Sequence, residues 1–226
     1  MEKEKEIVFS KQVWVIPMLL LVLVWIVYII ELKFDFNFNK YGIYPKSLKG
    51  LRGVFFSPFI HGDTNHLLNN SVPLVVLSAC LLFFYKEVAW KVLLVGTLLS
   101  GILTWIIARE NYHIGASGVI YLLFSFIFFS GVIRKNYRLV AISLGVVFLY
   151  GSMIWYVFPV KDGISWEGHL SGFVVGFIFA IIYRKIGLQK IEHTYTSSEF
   201  DTYFDDDGNL KESLEEPPIS QTDVDE

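Results

Sequence analysis

Residues 115–133 read GASGVIYLLFSFIFFSGVI, a small-residue turn holding one serine and then an unbroken uncharged, mostly apolar run. From Val119 to Ile133 the run has 15 residues. At 1.5 Å per residue it covers about 23 Å as a helix, less than the roughly 30 Å of a bilayer's hydrocarbon. A helix so short is expected to begin below the membrane surface, with Ser117 in its first turn. Helix starts carry unpaired N–H groups and the positive end of the macrodipole, which suit a developing oxyanion beside a nucleophile. Gly-x-Ser-Gly alone is also a common helix-packing motif, so its meaning depends on what surrounds it.

Five further apolar segments flank this one: Val13 to Leu32, His66 to Tyr85, Trp90 to Ala108, Leu139 to Phe158 and Gly168 to Ile186. With Ser117 to Ile133 they predict an all-α, polytopic membrane protein built as a bundle of six transmembrane helices. The composition agrees: 54% of the 226 residues are hydrophobic and 20 are Phe, and the mean hydropathy of +0.49 lies outside the soluble range. The first segment is too long for a signal peptide and no small-x-small site follows Glu31, so it reads as a retained anchor. Six spans put both termini on one side, and that side holds 12 of the 19 Lys and Arg residues. By the positive-inside rule both termini are expected to be cytoplasmic. A multi-pass protein of the bacterial cytoplasmic membrane is the expected setting, and no nucleic-acid partner is called for. Cys80 is the lone cysteine and lies within a span, which excludes an intrachain disulfide.

Three regions follow: a cytoplasmic segment 1–12, a six-helix domain 13–187 and an acidic tail 188–226. Inside the domain, residues 33–65 mix aromatic and aliphatic side chains with Gly42, Pro45, Gly50, Gly53 and Pro58, which predicts a folded loop embedded in the interface on the non-cytoplasmic side. The tail holds 12 of the 22 acidic residues. Without it the chain is basic, 17 Lys and Arg against 10 Asp and Glu. A solvated, disordered tail is expected. Aligning Gly208 with the glycine of a calcium loop puts Tyr203 and Leu214 at the terminal ligand positions, which argues against that site.

Polar side chains are costly in hydrocarbon, and those present usually face a protein interior or a cavity. Beyond the Ser117 turn, two clusters interrupt the apolar pattern. His61-Gly-Asp-Thr-Asn-His66-Leu-Leu-Asn-Asn70 opens the second span, with His66 and Asn70 four apart on one helix face. Asp63, Thr64 and Asn65 also suit a plain helix cap. His169 opens the last span, followed at offsets of three, seven and eleven by Gly172, Gly176 and Ala180 on the same face. Such a face admits a second helix closely enough for a Ser–His hydrogen bond. On the serine helix Tyr121 and Ser125 continue the Ser117 face, and Tyr121 either stacks on the His169 ring or serves as an interfacial tyrosine.

In order and spacing, His61 with His66-x-x-x-Asn70, Gly115-Ala116-Ser117-Gly118 with Tyr121, and His169-x-x-Gly172-x-x-x-Gly176 resemble the rhomboid intramembrane proteases over roughly residues 10–187. The resemblance implies a Ser–His dyad without a third acidic residue. Ser117 would be the nucleophile and His169 the general base and acid. His66, Asn70 and the Ser117 N–H would form an oxyanion hole, and His61 would order water and the nearby loop. Gly115, Gly118, Tyr121, Gly172 and Gly176 would support these groups. Transmembrane protein substrates are implied, cut in or near their helices, and neither cofactor nor metal is called for. Lys49-Gly-Leu51-Arg52-Gly stands where some members carry a Trp-Arg pair. An inactive rhomboid-like protein that binds membrane clients is the competing reading, with a channel or transporter behind it. Oligomeric state and natural substrate stay open.

Overall fold

The computed structural model describes residues 9–160, 163–190 and 199–211. Every apolar segment of the sequence folds as helix: α1 (Gln12–Lys33), α4 (Thr64–Phe84), α5 (Gly96–Ile107), α6 (Ser117–Arg134), α7 (Tyr137–Tyr150) and α8 (Trp166–Ile182), with two one-turn helices, α2 (Leu48–Leu51) and α3 (Gly53–Phe56), between the first and second. Four helices are long and apolar enough to cross a membrane: α1, α4, α6 and α7 with its extension to Val157. Lys91–Ile107 and Trp166–Ile182 are shorter apolar helices. Within residues 9–190 no strand forms among the described residues; the one isolated bridge there pairs Ile43 with His113.

Burial decides which helix is central. In α6 72% of its most apolar 18 residues are buried, against 22% in α1 and 17% in the α7 segment. A helix that is apolar all round and buried all round must be enclosed by others, and α6 packs on α4, α5, α7 and α8. The apolar outer faces of α1 and α7 suit lipid. This is an integral membrane protein in composition and in architecture.

Polar side chains are buried along the bundle, and several bridge elements. Trp25 Nε1 donates to Ser71 Oγ at 3.1 Å, and the Tyr28 and Thr64 hydroxyls meet at 2.8 Å, fastening α1 to α4. Ser125 Oγ donates to the Phe173 carbonyl at 2.7 Å, joining α6 to α8. Such bonds matter because hydrocarbon supplies no alternative partner.

Three elements depart from uniform helix. The third apolar segment opens as π-helix over Lys91–Val95. The fifth stops being α at Tyr150 and continues as 3₁₀ turns over Gly151–Val157, which leaves backbone carbonyls there to bond side chains. The last ends at Ile182 rather than Ile186, and the chain turns at Gly187 with φ +93°. Between α1 and α4 the chain is a loop that folds through a 3₁₀ turn at Asn39–Tyr41, the one-turn helices α2 and α3, and a second 3₁₀ turn at Ser57–Phe59. Where the Trp-Arg pair is missing, Arg52 lies over the Tyr41 ring at 4.5 Å and donates to the Lys40 carbonyl at 3.0 Å, packing the loop on itself.

The helical body runs to Lys190, slightly beyond the boundary read from composition. The expectations for residues 1–8, and for disorder over 191–198 and 212–226, lie outside the described residues. Residues 199–211, described by themselves, fold locally. A 3₁₀ turn at Glu199–Tyr203 precedes a tight turn in which Asp205 accepts from the Asp207 and Asn209 amides, closed by the Phe204–Leu210 bridge.

Candidate active site

The turn before α6 is held from both sides. The Gly115 N–H donates to the Ser57 carbonyl at 2.8 Å, and the Ala116 N–H to His61 Nε2 at 3.4 Å. Gly115 has φ +107°, a backbone that favours glycine. A Cβ there would also stand 2.6 Å from His66 Nε2, so the missing side chain admits the His66 ring. Ile120 N to Ala116 O, at 3.0 Å, is the first helical bond of α6. The amides of Ser117, Gly118 and Val119 therefore precede the ladder at the helix's positive end.

His66 and Asn70 project from one face of α4, as their spacing predicts. Asp63 caps that helix by accepting the His66 N–H at 2.8 Å. Asn70 is 7% exposed and its Nδ2 is buried with no protein partner; the same atom lies 3.5 Å from where a Gly115 Cβ would be. An amide donor is thus left free beside the Ser117 turn. His61 packs edge-on against His66 with ring centroids 5.0 Å apart.

His169 arrives on α8, whose small residues let it lie against α6. A Cβ at Gly172 would overlap the Gly118 carbonyl oxygen, and one at Gly176 the Leu122 carbonyl oxygen. The Tyr121 ring stacks on His169 at 4.2 Å and 13°, and its hydroxyl donates to the Met153 carbonyl at 2.7 Å. His169 Nδ1 lies 2.8 Å from the Tyr156 carbonyl. A carbonyl only accepts, so Nδ1 carries the proton and, in the neutral ring, Nε2 keeps a free lone pair. Ring plane and tautomer are both fixed, and no carboxylate is needed to do it. Among the hydrogen bonds of the described residues none joins Ser117 Oγ to His169, whose ring bonds through Nδ1. Such contacts are often long before substrate binds and tighten in the complex.

Beside Ser117 lies a cavity of ≈ 40 Å³ lined by Ser100, Thr104, His113, Ser117, Ser165 and Gly168, among others. One water occupies about 10–15 Å³ on this measure, so water fits. Ser100 Oγ is buried with no protein partner, a natural seat for it.

A family model, the rhomboid domain, matches residues 49–186. The chain belongs to the rhomboid family. Among curated relatives, uncharacterized proteins from Mycobacterium bovis and Mycobacterium tuberculosis are each 34% identical over 181 residues, 72% of this chain and 73% of theirs. An uncharacterized protein from Mycobacterium leprae is 29% identical over 171 residues, 71% of this chain and 67% of its own. The rhomboid match covers the residues of this candidate site, from Ser57 to Gly176.

In this rhomboid chain the sequence-predicted residues Ser117, His169, His66, Asn70, His61 and Tyr121 come together at one end of α4, α6 and α8. The reading missed Ser100, His113, Ser165 and Glu167. His113 and Ser165 lie in connections, where periodicity says nothing; Glu167 stands one residue before the predicted last span, Gly168 to Ile186, and falls inside α8 because the helix begins at Trp166.

Proposed function

We propose that this protein is an intramembrane serine endopeptidase that hydrolyses peptide bonds in or near transmembrane helices of other membrane proteins. The observation that carries the proposal is the fixed His169 ring. With Nδ1–H bonded to the Tyr156 carbonyl and one face covered by Tyr121, Nε2 is the nitrogen left for proton transfer. Ser117 attacks the scissile carbonyl while His169 Nε2 takes its proton and then gives it to the leaving amine. The oxyanion meets the Ser117 N–H, the unpaired Asn70 Nδ2 and the His66 ring. Water from the cavity beside Ser117 then attacks the acyl-enzyme, with His169 again as base. The reading includes six membrane crossings, the site opening to the non-cytoplasmic side and both termini in the cytoplasm.

The open Ser117–His169 contact is the observation that favours a second reading, a rhomboid-like protein that binds membrane clients without cutting them. Cleavage of a single-span reporter in proteoliposomes separates the two. Wild type cuts, whereas Ser117→Ala and His169→Ala at matched folded concentration do not, and a fluorophosphonate labels only chains that retain both residues. Equal cleavage by Ser117→Ala would remove that residue from the mechanism; no cleavage and no labelling of wild type would leave the client-binding reading.

A further inference from the structure

Glu167 is two residues from His169 on α8 and 2% exposed, an unusual place for a carboxylate in so apolar a body. Its Oε1 accepts the Arg109 backbone N–H at 3.3 Å and lies 3.7 Å from Arg109 Nε; Oε2 is buried without a partner. Arg109 follows α5, in the connection that leads into the Ser117 turn. From Arg109 a chain of polar contacts runs back to α8. Arg109 Nη2 donates to the Ile164 carbonyl at 2.7 Å, and the Arg109 carbonyl is 3.0 Å from His113 Nε2. That carbonyl must accept, so Nε2 of the neutral ring bears the proton and His113 Nδ1 takes the hydroxyl hydrogen of Ser165, 2.6 Å away. The Ser165 carbonyl in turn accepts the His169 N–H at 3.2 Å. His113 is 4% exposed, and the backbone bridge to Ile43 ties it to the 33–65 loop as well.

This network closes a ring between the two segments that must meet, the connection delivering Ser117 and the helix start delivering His169. We infer that Arg109, His113, Ser165 and Glu167 form a clamp that sets the distance and angle between Ser117 and His169, acting as positioning residues for the reaction. The inference rests on the protease reading for its rate effects but not for its geometry. Burial strengthens it: with Glu167 and His113 shut away from water, an alternative arrangement leaves charged or polar groups unpaired. Misplacing one partner of such a pair by about 1 Å costs on the order of 100-fold in rate.

The test uses the full chain in proteoliposomes with Ser165→Ala, Glu167→Gln and the conservative Ser165→Thr. Clamp loss lowers kcat by about 10- to 100-fold and slows fluorophosphonate labelling in parallel, with KM nearly unchanged and the melting temperature held within a few degrees. Ser165→Thr, which keeps the hydroxyl, restores both rates. Geometry is read separately in a Cys80→Ser chain carrying Ser117→Cys and His169→Cys: a short bifunctional thiol reagent joins the pair efficiently with the clamp intact and poorly in Ser165→Ala or Glu167→Gln. Unchanged kcat, labelling and cross-linking per folded molecule would overturn the clamp, as would losses confined to KM or matched by unfolding. A wild type that neither cuts nor labels, while the chain carrying Ser117→Cys and His169→Cys cross-links in a clamp-dependent way, would sink the protease reading and leave the clamp standing.

Discussion

His61 is 1% exposed, and its Nδ1 has no protein partner. Burial is the main reason its ring resists protonation, with the His66 ring adding to the effect, so its pKa is pushed down to about 4 from the usual 6.5. The unfolded chain then binds a proton that the folded chain refuses. Stability is full above pH 6.5 and falls as the pH drops through the window from 6.5 to 4, by about 2–3 kcal/mol at its lower end. Thermal unfolding in detergent between pH 7 and pH 4.5 reads this loss, and His61→Gln, which can still accept the Ala116 N–H without titrating, flattens the profile. A profile equally steep in His61→Gln would assign the effect elsewhere. Asn70 makes the opposite trade. Its buried unpaired donor contributes nothing to folding, so Asn70→Ala changes stability by less than about 1 kcal/mol while lowering kcat about 10²- to 10³-fold, the usual loss for one oxyanion donor. A parallel fall in melting temperature and rate would make Asn70 a structural residue instead.

Between α6 and α8 the decisive atoms are the ones that are missing. Gly172 sits where a Cβ would meet the Gly118 carbonyl, whereas Gly145 on α7 has open space around it. Gly172→Ala is therefore expected to push the helices apart, costing about 1–3 kcal/mol and most of the cleavage rate, since the same helix carries His169. Gly145→Ala leaves both nearly unchanged or gains a little stability through helix propensity. Comparing melting temperatures and reporter cleavage of the two variants checks the pair, and equal behaviour would mean that close packing does not position His169. This face was legible because offsets of three, seven and eleven are a property of the sequence itself. The Tyr121 stack on His169 followed from the same periodicity, which left an interfacial tyrosine equally open until the rings were placed. The 3₁₀ stretch after α7 was not legible: residues 151–158 stay apolar and aromatic, so composition extends the helix straight through them. Its contribution to the site is made by the Met153 and Tyr156 carbonyls, which every sequence possesses and none advertises.

At the scale of the molecule, hydropathy located the helical body, and the polar interruptions pointed to candidate site residues, because in hydrocarbon each polar group needs a reason to be there. The order in which helices surround one another was less accessible; α6 differs from α1 in what encloses it more than in how apolar it is. The end of the body shows the same limit. A shift from apolar to acidic residues suggests a border near residue 188, yet Asn136 Nδ2 donates to the Gln189 carbonyl at 2.7 Å, and Gln189 Nε2 donates to the Arg184 carbonyl at 3.1 Å. Asn136 is 3% exposed, so a cut after Leu188 strands a buried amide at the start of α7 and costs about 1–3 kcal/mol. A cut after Lys190 keeps every one of these bonds and removes only the acidic segment. The longer truncation product is expected to fold and to cleave a single-span reporter at the full-length rate, while the shorter one melts earlier. Melting temperature and reporter cleavage of both products in one lipid composition decide the point. If the chain ending at Lys190 folds normally and fails to cut, the acidic tail takes part in catalysis or substrate capture, and the division of labour between body and tail falls.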